Sequence, residues 1–294
     1  MSVATDQREQ VVNAALKELA HIATLPEITV KIVELVEDPK STAQDLHKII
    51  SNDPALCSRI LKVVNSSFYG LPGQIASINR AIVLLGLNAV KNIAIAASLT
   101  KLFRGAQLTP TVSVKDLWSH SVSTAVVAKM LADRLKLGLS DESFLAGLMH
   151  DIGFMVALQF DRMKLIEVIQ QTGINAEGVP SGNMLDFEQT VFGATHQDFG
   201  SGLCAKWKFP KPLAYVSGFH HRPMELGFEH RTLPSLVYIA ERIACEAEKS
   251  FRGDLISLEI APEVREHIKL SVDKLAELRK DAPAAIKDAS GMLG

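Results

Sequence analysis

Seven residues carry donor groups that divalent metals favour, in a set order: His120, the doublet His150-Asp151, His196, the doublet His220-His221, and Glu241. Imidazole is the commonest protein metal ligand, and carboxylate oxygen suits hard divalent ions. A metal needs several such atoms converging at roughly 2.0–2.2 Å. Because His150 and Asp151 are adjacent, one turn of backbone offers a nitrogen and a carboxylate together. A carboxylate can also bridge two ions, and a pair about 3.5–4 Å apart activates a water and clamps a phosphoryl group. Asp116, four residues before His120, can share its helix face and is a secondary candidate. Singly, each residue has a plainer explanation. His120 sits among serines, His150-Asp151 before Gly153 reads as a helix terminus where the dipole favours a cation, and Glu241 beside Arg242 reads as a solvated ion pair. Taken together, the order of the set favours a metal.

Helices must position these donors, because helical periodicity runs through the chain and no stretch alternates at period two. Val11, Val12, Ala15, Leu16, Leu19 and Ile22 form an apolar stripe that Pro26 ends. Ile28, Ile32, Val33, Leu35 and Val36 form a second helix, closed at Asp38-Pro39. Ser41 or Thr42 caps a third, with Leu46, Ile49 and Ile50. Asp53 as N-cap and Pro54 at the first position open a fourth, carrying Leu56, Ile60, Leu61 and Val64. Residues 65–73 read as a loop, more a packed corner than a ligand site. Residues 81–99 are apolar enough to resemble a membrane span. Lys91 at its centre would cost about 2.5–3.5 kcal/mol there, and Gly86 followed by Asn88 reads as a helix end and a new cap. Two short buried helices reaching about residue 103 are expected instead, with Lys91 and Arg80 at solvated helix ends. The polar stretch 104–114 is the expected boundary.

Beyond it, a helix over 116–135 carries His120 and ends at Gly138. Ser140, Asp141 and Glu142 open another that contains the His150-Asp151 doublet. Helices near 164–170, 186–192 and 196–207 follow, with a surface loop at 173–183. Pro210 and Pro212 turn into a short helix ending at His220-His221, residues 222–231 form a loop, and a helix over 233–248 holds Glu241. A last helix spans about 262–278, and the tail beyond it is expected to fray. Trp118 and Trp207 are candidate anchors. His21, His47, His230 and His267 lie outside the pattern.

The 294 residues are ample for a packed core in one or two domains, and 47% hydrophobic content excludes general disorder. A formal charge of −2 offers no electrostatic case for nucleic acid. Cys57, Cys204 and Cys245 are scattered without a CxxC pair, as expected of free thiols in a reducing cytosol. The opening MSVATDQREQ lacks the basic start and apolar core of a signal peptide, so a cytoplasmic protein without a membrane anchor is expected.

The order H…HD…H…HH…D/E resembles the HD superfamily of metal-dependent phosphohydrolases, and His150-Asp151-Ile152-Gly153 resembles the start of the HDIGK signature of its HD-GYP branch. The chain is more similar still to the HDOD family, the HD-related output domain of bacterial signalling. That resemblance rests on Asn52-Asp53-Pro54-Ala55-Leu56, on Val63-Val64-Asn65-Ser66-Ser67-Phe68-Tyr69, on 78–86 (INRAIVLLG), and on Trp207-Lys208-Phe209-Pro210 followed by His220-His221. It covers roughly 25–247. It implies an all-α protein: an N-terminal helical subdomain at 1–110 packed on an HD-like helical bundle at 111–260, then a C-terminal helix and tail at 261–294.

Carried over by position, His120, His150 and Asp151 match the metal-binding H and HD, and Glu241 stands where the last aspartate usually stands. His196, His220 and His221 match the extra histidines of a second metal. One or two divalent ions (Fe, Mn, Mg, Zn or Ni) are implied. Three departures stand out. Phe154 replaces the signature lysine, Arg222-Pro223-Met224-Glu225-Leu226-Gly227 replaces the GYP segment, and Glu241 is longer than aspartate by one methylene. Family membership implies a bacterial regulatory protein acting through a signalling partner such as a kinase, a response regulator or a nucleotide messenger, with its input supplied by another protein. The alternative is a metal-dependent phosphohydrolase acting on a nucleotide or other phosphoester, with Asp151 as the catalytic bridging ligand.

Overall fold

The computed structural model describes residues 3–22, 27–38, 40–66, 68–103, 105, 107–248 and 251–289. Pro26, Pro39, Ser67 and Arg104 lie outside the described residues, as do the side chains of Leu19, His21, Ile22 and Val36. Among the described residues the regular structure is all helical, apart from one isolated bridge between Gln107 and Ser113.

The N-terminal helices are α1 (Val3–Ile22), α2 (Glu27–Glu37), α3 (Ala43–Ile50), α4 (Pro54–Val64), α5 (Ile78–Leu85) and α6 (Leu87–Leu99). Thr42, not Ser41, caps α3 in a reciprocal box with Asp45, and Asp53 accepts from the Leu56 backbone N–H at 2.9 Å to start α4. Asn65 ties its loop shut: its Nδ2 donates to Leu61 O and Ile75 O, each at 2.8 Å, while its Oδ1 accepts from Ile75 N at 2.6 Å. The loop's Phe68 then packs 5.6 Å from the Phe144 ring.

Gly86 separates α5 from α6 at φ +91, a conformation that only glycine adopts without strain. Asn88, expected to cap the new helix, lies inside it. Nor is Lys91 at a solvated helix end. It is 3% exposed, and its Nζ donates to Leu35 O and Ser41 Oγ, both at 2.6 Å. Packing of α6 against α2, α4 and α8 buries it nearly all round.

Ten helices follow: α7 (Val114–Leu135), α8 (Ser140–Met149), α9 (Gly153–Phe160), α10 (Arg162–Thr172), α11 (Met184–Phe192), α12 (His196–Lys206), α13 (Lys211–Phe219), α14 (Thr232–Ala247), α15 (Pro262–His267) and α16 (Val272–Ala289). Lys136, left-handed at φ 54, closes α7 two residues before the expected Gly138. The stretch Ser140–Phe160 is long and apolar enough to cross a membrane by composition, and 83% of its most apolar window is buried inside the fold.

α7 is the central element, packed by α8, α14 and α16. The approach of α8 is close, since a Cβ on Gly147 would sit 2.7 Å from Ala125 Cα. The tail expected to fray instead forms most of α16. Its Leu275, Leu278, Ala282, Ile286 and Ala289 are buried, with Arg134–Asp281 at 2.7 Å and a two-pronged Arg279–Glu246 pair on its rim. An Ala-, Lys- and Asp-rich stretch looks frayed by composition, but its few apolar residues repeat at helical spacing. Burying each leucine contributes about 1.5–3 kcal/mol.

Candidate metal centre

The donors come mostly from helix ends, where side chains can converge without running parallel. His120 lies in the second turn of α7. Asp116, the secondary candidate on the same helix, is excluded from the site: its carboxylate accepts from the Ser113 backbone N–H at 2.7 Å and forms a capping box. α8 ends at Met149 with His150 as its C-cap, so the doublet stands in the three-residue break before α9. Gly153 explains the HDIG tetrapeptide in steric terms. A Cβ there would lie 1.8 Å from His196 O and 2.9 Å from Gly200 N, so glycine lets α9 dock on α12. His196 opens α12 behind a Thr195–Asp198 capping box, His220-His221 close α13, and Glu241 projects from the middle of α14.

These elements bring all seven predicted residues together in two adjoining groups. In one, His120 Nε2 lies 3.2 Å from His150 Nε2, 3.6 Å from Asp151 Oδ2 and 3.8 Å from Glu241 Oε1. His150 Nε2 lies 3.3 Å from Asp151 Oδ2 and 3.7 Å from Glu241 Oε1. In the other, His196 Nε2 lies 3.4 Å from His220 Nε2 and 3.3 Å from His221 Nε2. Asp254 Oδ2 lies 3.2 Å from His221 Nε2 and 4.0 Å from His196 Nε2. Asp151 serves both, because its Oδ1 is 3.4 Å from His220 Nε2 and 3.6 Å from His196 Nε2. Donors held about 2.1 Å from one ion stand about 3.0–3.4 Å apart in octahedral or tetrahedral geometry. The shorter pairs in each group, at 3.2–3.4 Å, have that spacing, and the longer ones reach 3.8 Å in the first group and 4.0 Å in the second.

The donor chemistry fits as well. Both oxygens of Asp151, Glu241 and Asp254 are shielded from solvent and accept no hydrogen bond of normal geometry. Buried carboxylates are otherwise paired or bound to metal. The outer nitrogens are engaged: His150 Nδ1 lies 2.7 Å from Gly147 O, His220 Nδ1 3.1 Å from Val216 O, and His196 Nδ1 2.9 Å from Glu188 Oε2. Since a carbonyl can only accept, Nδ1 of His150 and His220 carries the proton, and Nε2 is the atom turned toward the group. This is the usual outer support of a metal-ligating histidine.

Electrostatically the two groups differ. Burial opposes charge on His150, but Asp151 and Glu241 outweigh it and lift the imidazole to about 10. Burial likewise opposes charge on His196, yet Glu188, Asp151 and Asp254 raise it to about 9. In the same way the Cys245, Glu241 and Asp151 side chains hold His120 well above its ordinary value. Burial, with His221 and His150 nearby, pushes His220 down to about 4, and burial pushes His221 to about 3. Burial would raise Asp151 and Glu241, but their histidine neighbours hold both well below the usual carboxylate range. Asp254 rises to about 7 through burial and the other two carboxylates.

Phe154, standing where the signature has lysine, stacks on His196 with ring centroids 4.4 Å apart. Phe251 meets both Phe154 and His120 edge-on. Together they make an apolar wall. Among these side chains His221 is the most exposed, at 8%, and it lies beside a surface pocket of about 320 Å³ that also touches Arg222, Tyr238 and Glu263.

Asp254, Glu188 and Cys245 were not anticipated from sequence. Asp254 lies in an irregular stretch, Glu188 is one of many helical glutamates, and Cys245 Sγ is 3.7 Å from His120 Nδ1 across 125 residues. Glu188 lies eight residues before His196, a separation that no simple helical spacing marks.

The sequence profile of the HDOD domain matches residues 22–223. The chain belongs to the HDOD family. A curated relative, an uncharacterized protein of Treponema pallidum (strain Nichols), is 27% identical over 223 residues, which is 74% of this chain and 42% of that protein. The chain thus spans less than half the length of the relative it matches. Three solved structures share the fold. An HDOD domain protein of unknown function from Geobacter sulfurreducens has a TM-score of 0.77 at 22% identity, over 97% of this chain and 99% of that one. A candidate phosphohydrolase from Shewanella amazonensis SB2B has 0.73 at 21%, over 96% and 98%. A candidate signal transduction protein from Marinobacter aquaeolei VT8 has 0.74 at 20%, over 99% and 65%.

Proposed function

We propose that this HDOD protein is a bacterial, cytoplasmic signalling module that holds two divalent metal ions in a closed interior site and acts by binding a partner protein. In this proposal residues 1–110 and 111–260 are its two working units, with 261–294 as a C-terminal brace. The observation that carries the proposal is the burial of an otherwise complete donor set. His120, His150, Asp151 and Glu241 would hold one ion, and His196, His220, His221 and Asp254 the other, with Asp151 shared. Structural metal sites are closed in this way, whereas catalytic ones keep a position open to substrate. The nitrogen-rich second group suits Fe, Zn or Ni, and the first also suits Mn. Metals there would supply fixed positive charge to three buried carboxylates. The surrounding residues orient the imidazoles and exclude water, which locks the ends of α8 and α13 to α14.

Metal content of protein purified without a metal-affinity step tests the proposal. About two equivalents per chain are expected, falling to one or fewer in Asp151→Ala. Metal-free protein with unchanged stability and partner binding would end it. Titration with kinases, response regulators and nucleotide messengers tests the signalling half.

A second reading is favoured by Asp151, which offers one oxygen to each group, and by the pocket that reaches His221. Here the chain is a phosphohydrolase, in keeping with the description of its Shewanella neighbour. Hydrolysis of nucleotides or cyclic dinucleotides with Mn²⁺, Fe²⁺ or Mg²⁺ that vanishes in Asp151→Ala would establish it. Activity unchanged by that substitution would mark a contaminant.

A further inference from the structure

A separate cavity of about 290 Å³ lies where α6 meets the first turns of α8 and α13. Glu142 in its wall stands eight residues before His150, about 12 Å away along α8. The cavity is therefore distinct from the metal centre. Its apolar walls include Ile95, Leu145 and Leu213, and its polar groups include Asn88, Asn92 and Glu142.

Asn92 is the central polar member. It is 7% exposed and lines the cavity, and its carboxamide, which bonds to no described residue, is reached by solvent. A side-chain amide open to a cavity presents one acceptor and two donors to whatever enters. Lys91 in the same wall donates its Nζ to two neutral acceptors, Leu35 O and Ser41 Oγ, which ties the ammonium down on the α2–α3 side. Glu142 adds a carboxylate, so the lining carries one charge of each sign and favours neither anions nor cations.

We propose that this cavity binds a small, planar, uncharged ligand whose edge places a donor beside an acceptor, as in an aminopurine or a primary carboxamide. Asn92 pairs with such an edge in two-pronged fashion, as asparagine does with the exocyclic amine and adjacent ring nitrogen of adenine. Glu142 accepts from a further N–H, and the aliphatic walls cover the ring faces. The volume is at the lower edge of the roughly 300–1,000 Å³ of ligand pockets. One ring system fills it, and a ribose or longer substituent stays outside.

Calorimetric titration of the full chain with adenine, adenosine, nicotinamide and purine riboside tests the proposal, and needs no assumption about metal. Adenine with adenosine, or nicotinamide, is expected to bind at one site and thereby distinguish the two ligand types. Purine riboside has no amine and no ring N–H, so it presents acceptors alone and should bind about tenfold more weakly than adenosine or worse. Asn92→Leu should lower affinity about tenfold or more, and Leu145→Trp, which fills the space, should abolish binding. Both variants are checked for a wild-type circular dichroism spectrum. Glu142→Gln, at a half-buried position that tolerates change, should weaken binding severalfold and stands in should Asn92→Leu fail to fold. Absence of saturable binding by every probe at millimolar concentration would overturn the proposal. Equal affinity in wild type, Asn92→Leu and Glu142→Gln would do the same.

Discussion

At the scale of single residues, the support around the donors is as informative as the donors. Glu188 is buried, accepts from both the His196 backbone N–H at 3.0 Å and its Nδ1, and is raised above its ordinary value by burial. Glu188→Gln keeps the shape but removes the charge. A loss of about 10–100-fold in metal affinity is expected, read by competition with a chelating dye. Unchanged affinity would reduce Glu188 to a packing residue. The imidazoles also set a pH dependence. Without metal, His150 titrates near 10 and His196 near 9, yet both must be neutral to ligate. Below pH 9 loading each group therefore displaces at least one proton. The affinity of each group should rise with pH between 6 and 8 by about one decade per unit or more, flatten above 10, and fall as pH drops. A slope near zero would show that these histidines are not ligands.

At the scale of elements, the site depends on how closely helix axes approach. Gly153 lets α9 touch α12, and Gly147 lets α8 touch α7. Gly153→Ala would drive a methyl group into the His196 carbonyl, a backbone atom that cannot swing away. About 1–3 kcal/mol of destabilisation or more is expected from the forced shift, together with loss of metal from the second group. Chemical denaturation and metal analysis of the same sample read both. Normal stability would mean that the helices separate freely, which the interlocked packing of α9, α12 and α13 argues against. Phe154 belongs to this scale too. By stacking on His196 it makes the second group's wall apolar, where a lysine would have presented charge.

At the scale of the whole molecule, eight donor residues drawn from three helices and three stretches between helices meet in one interior. Bound metal would therefore link the N-terminal half of the bundle to α14 and the segment after it. Without metal, the three buried carboxylates face histidines and, for Glu241, the Arg242 guanidinium at 3.7 Å. Metal at one hundred times its dissociation constant should add about 2.7 kcal/mol of stability. In a protein of this size that corresponds to a rise in Tm of about 4–5 °C. Differential scanning calorimetry before and after dialysis against chelator reads the difference, and coincident melting curves would place the metal, if bound at all, outside the folded core.

Helical class and the donor types were legible in the linear chain, because periodicity and side-chain chemistry are local properties. Capping signals such as Asp53-Pro54 are also local, and they predicted where α4 begins. Lys91 and the C-terminal stretch misled for the same reason: whether a lysine is solvated or a helix frays depends on what packs against it. The order of the histidines pointed to a site, but not to its division into two groups, to the sharing of Asp151 between them, or to the presence of Asp254. Those features, and the closure of the site by Phe154 and Phe251, are set by contacts between residues far apart in sequence. Only the packing of α7, α8, α12, α13 and α14 brings them within reach.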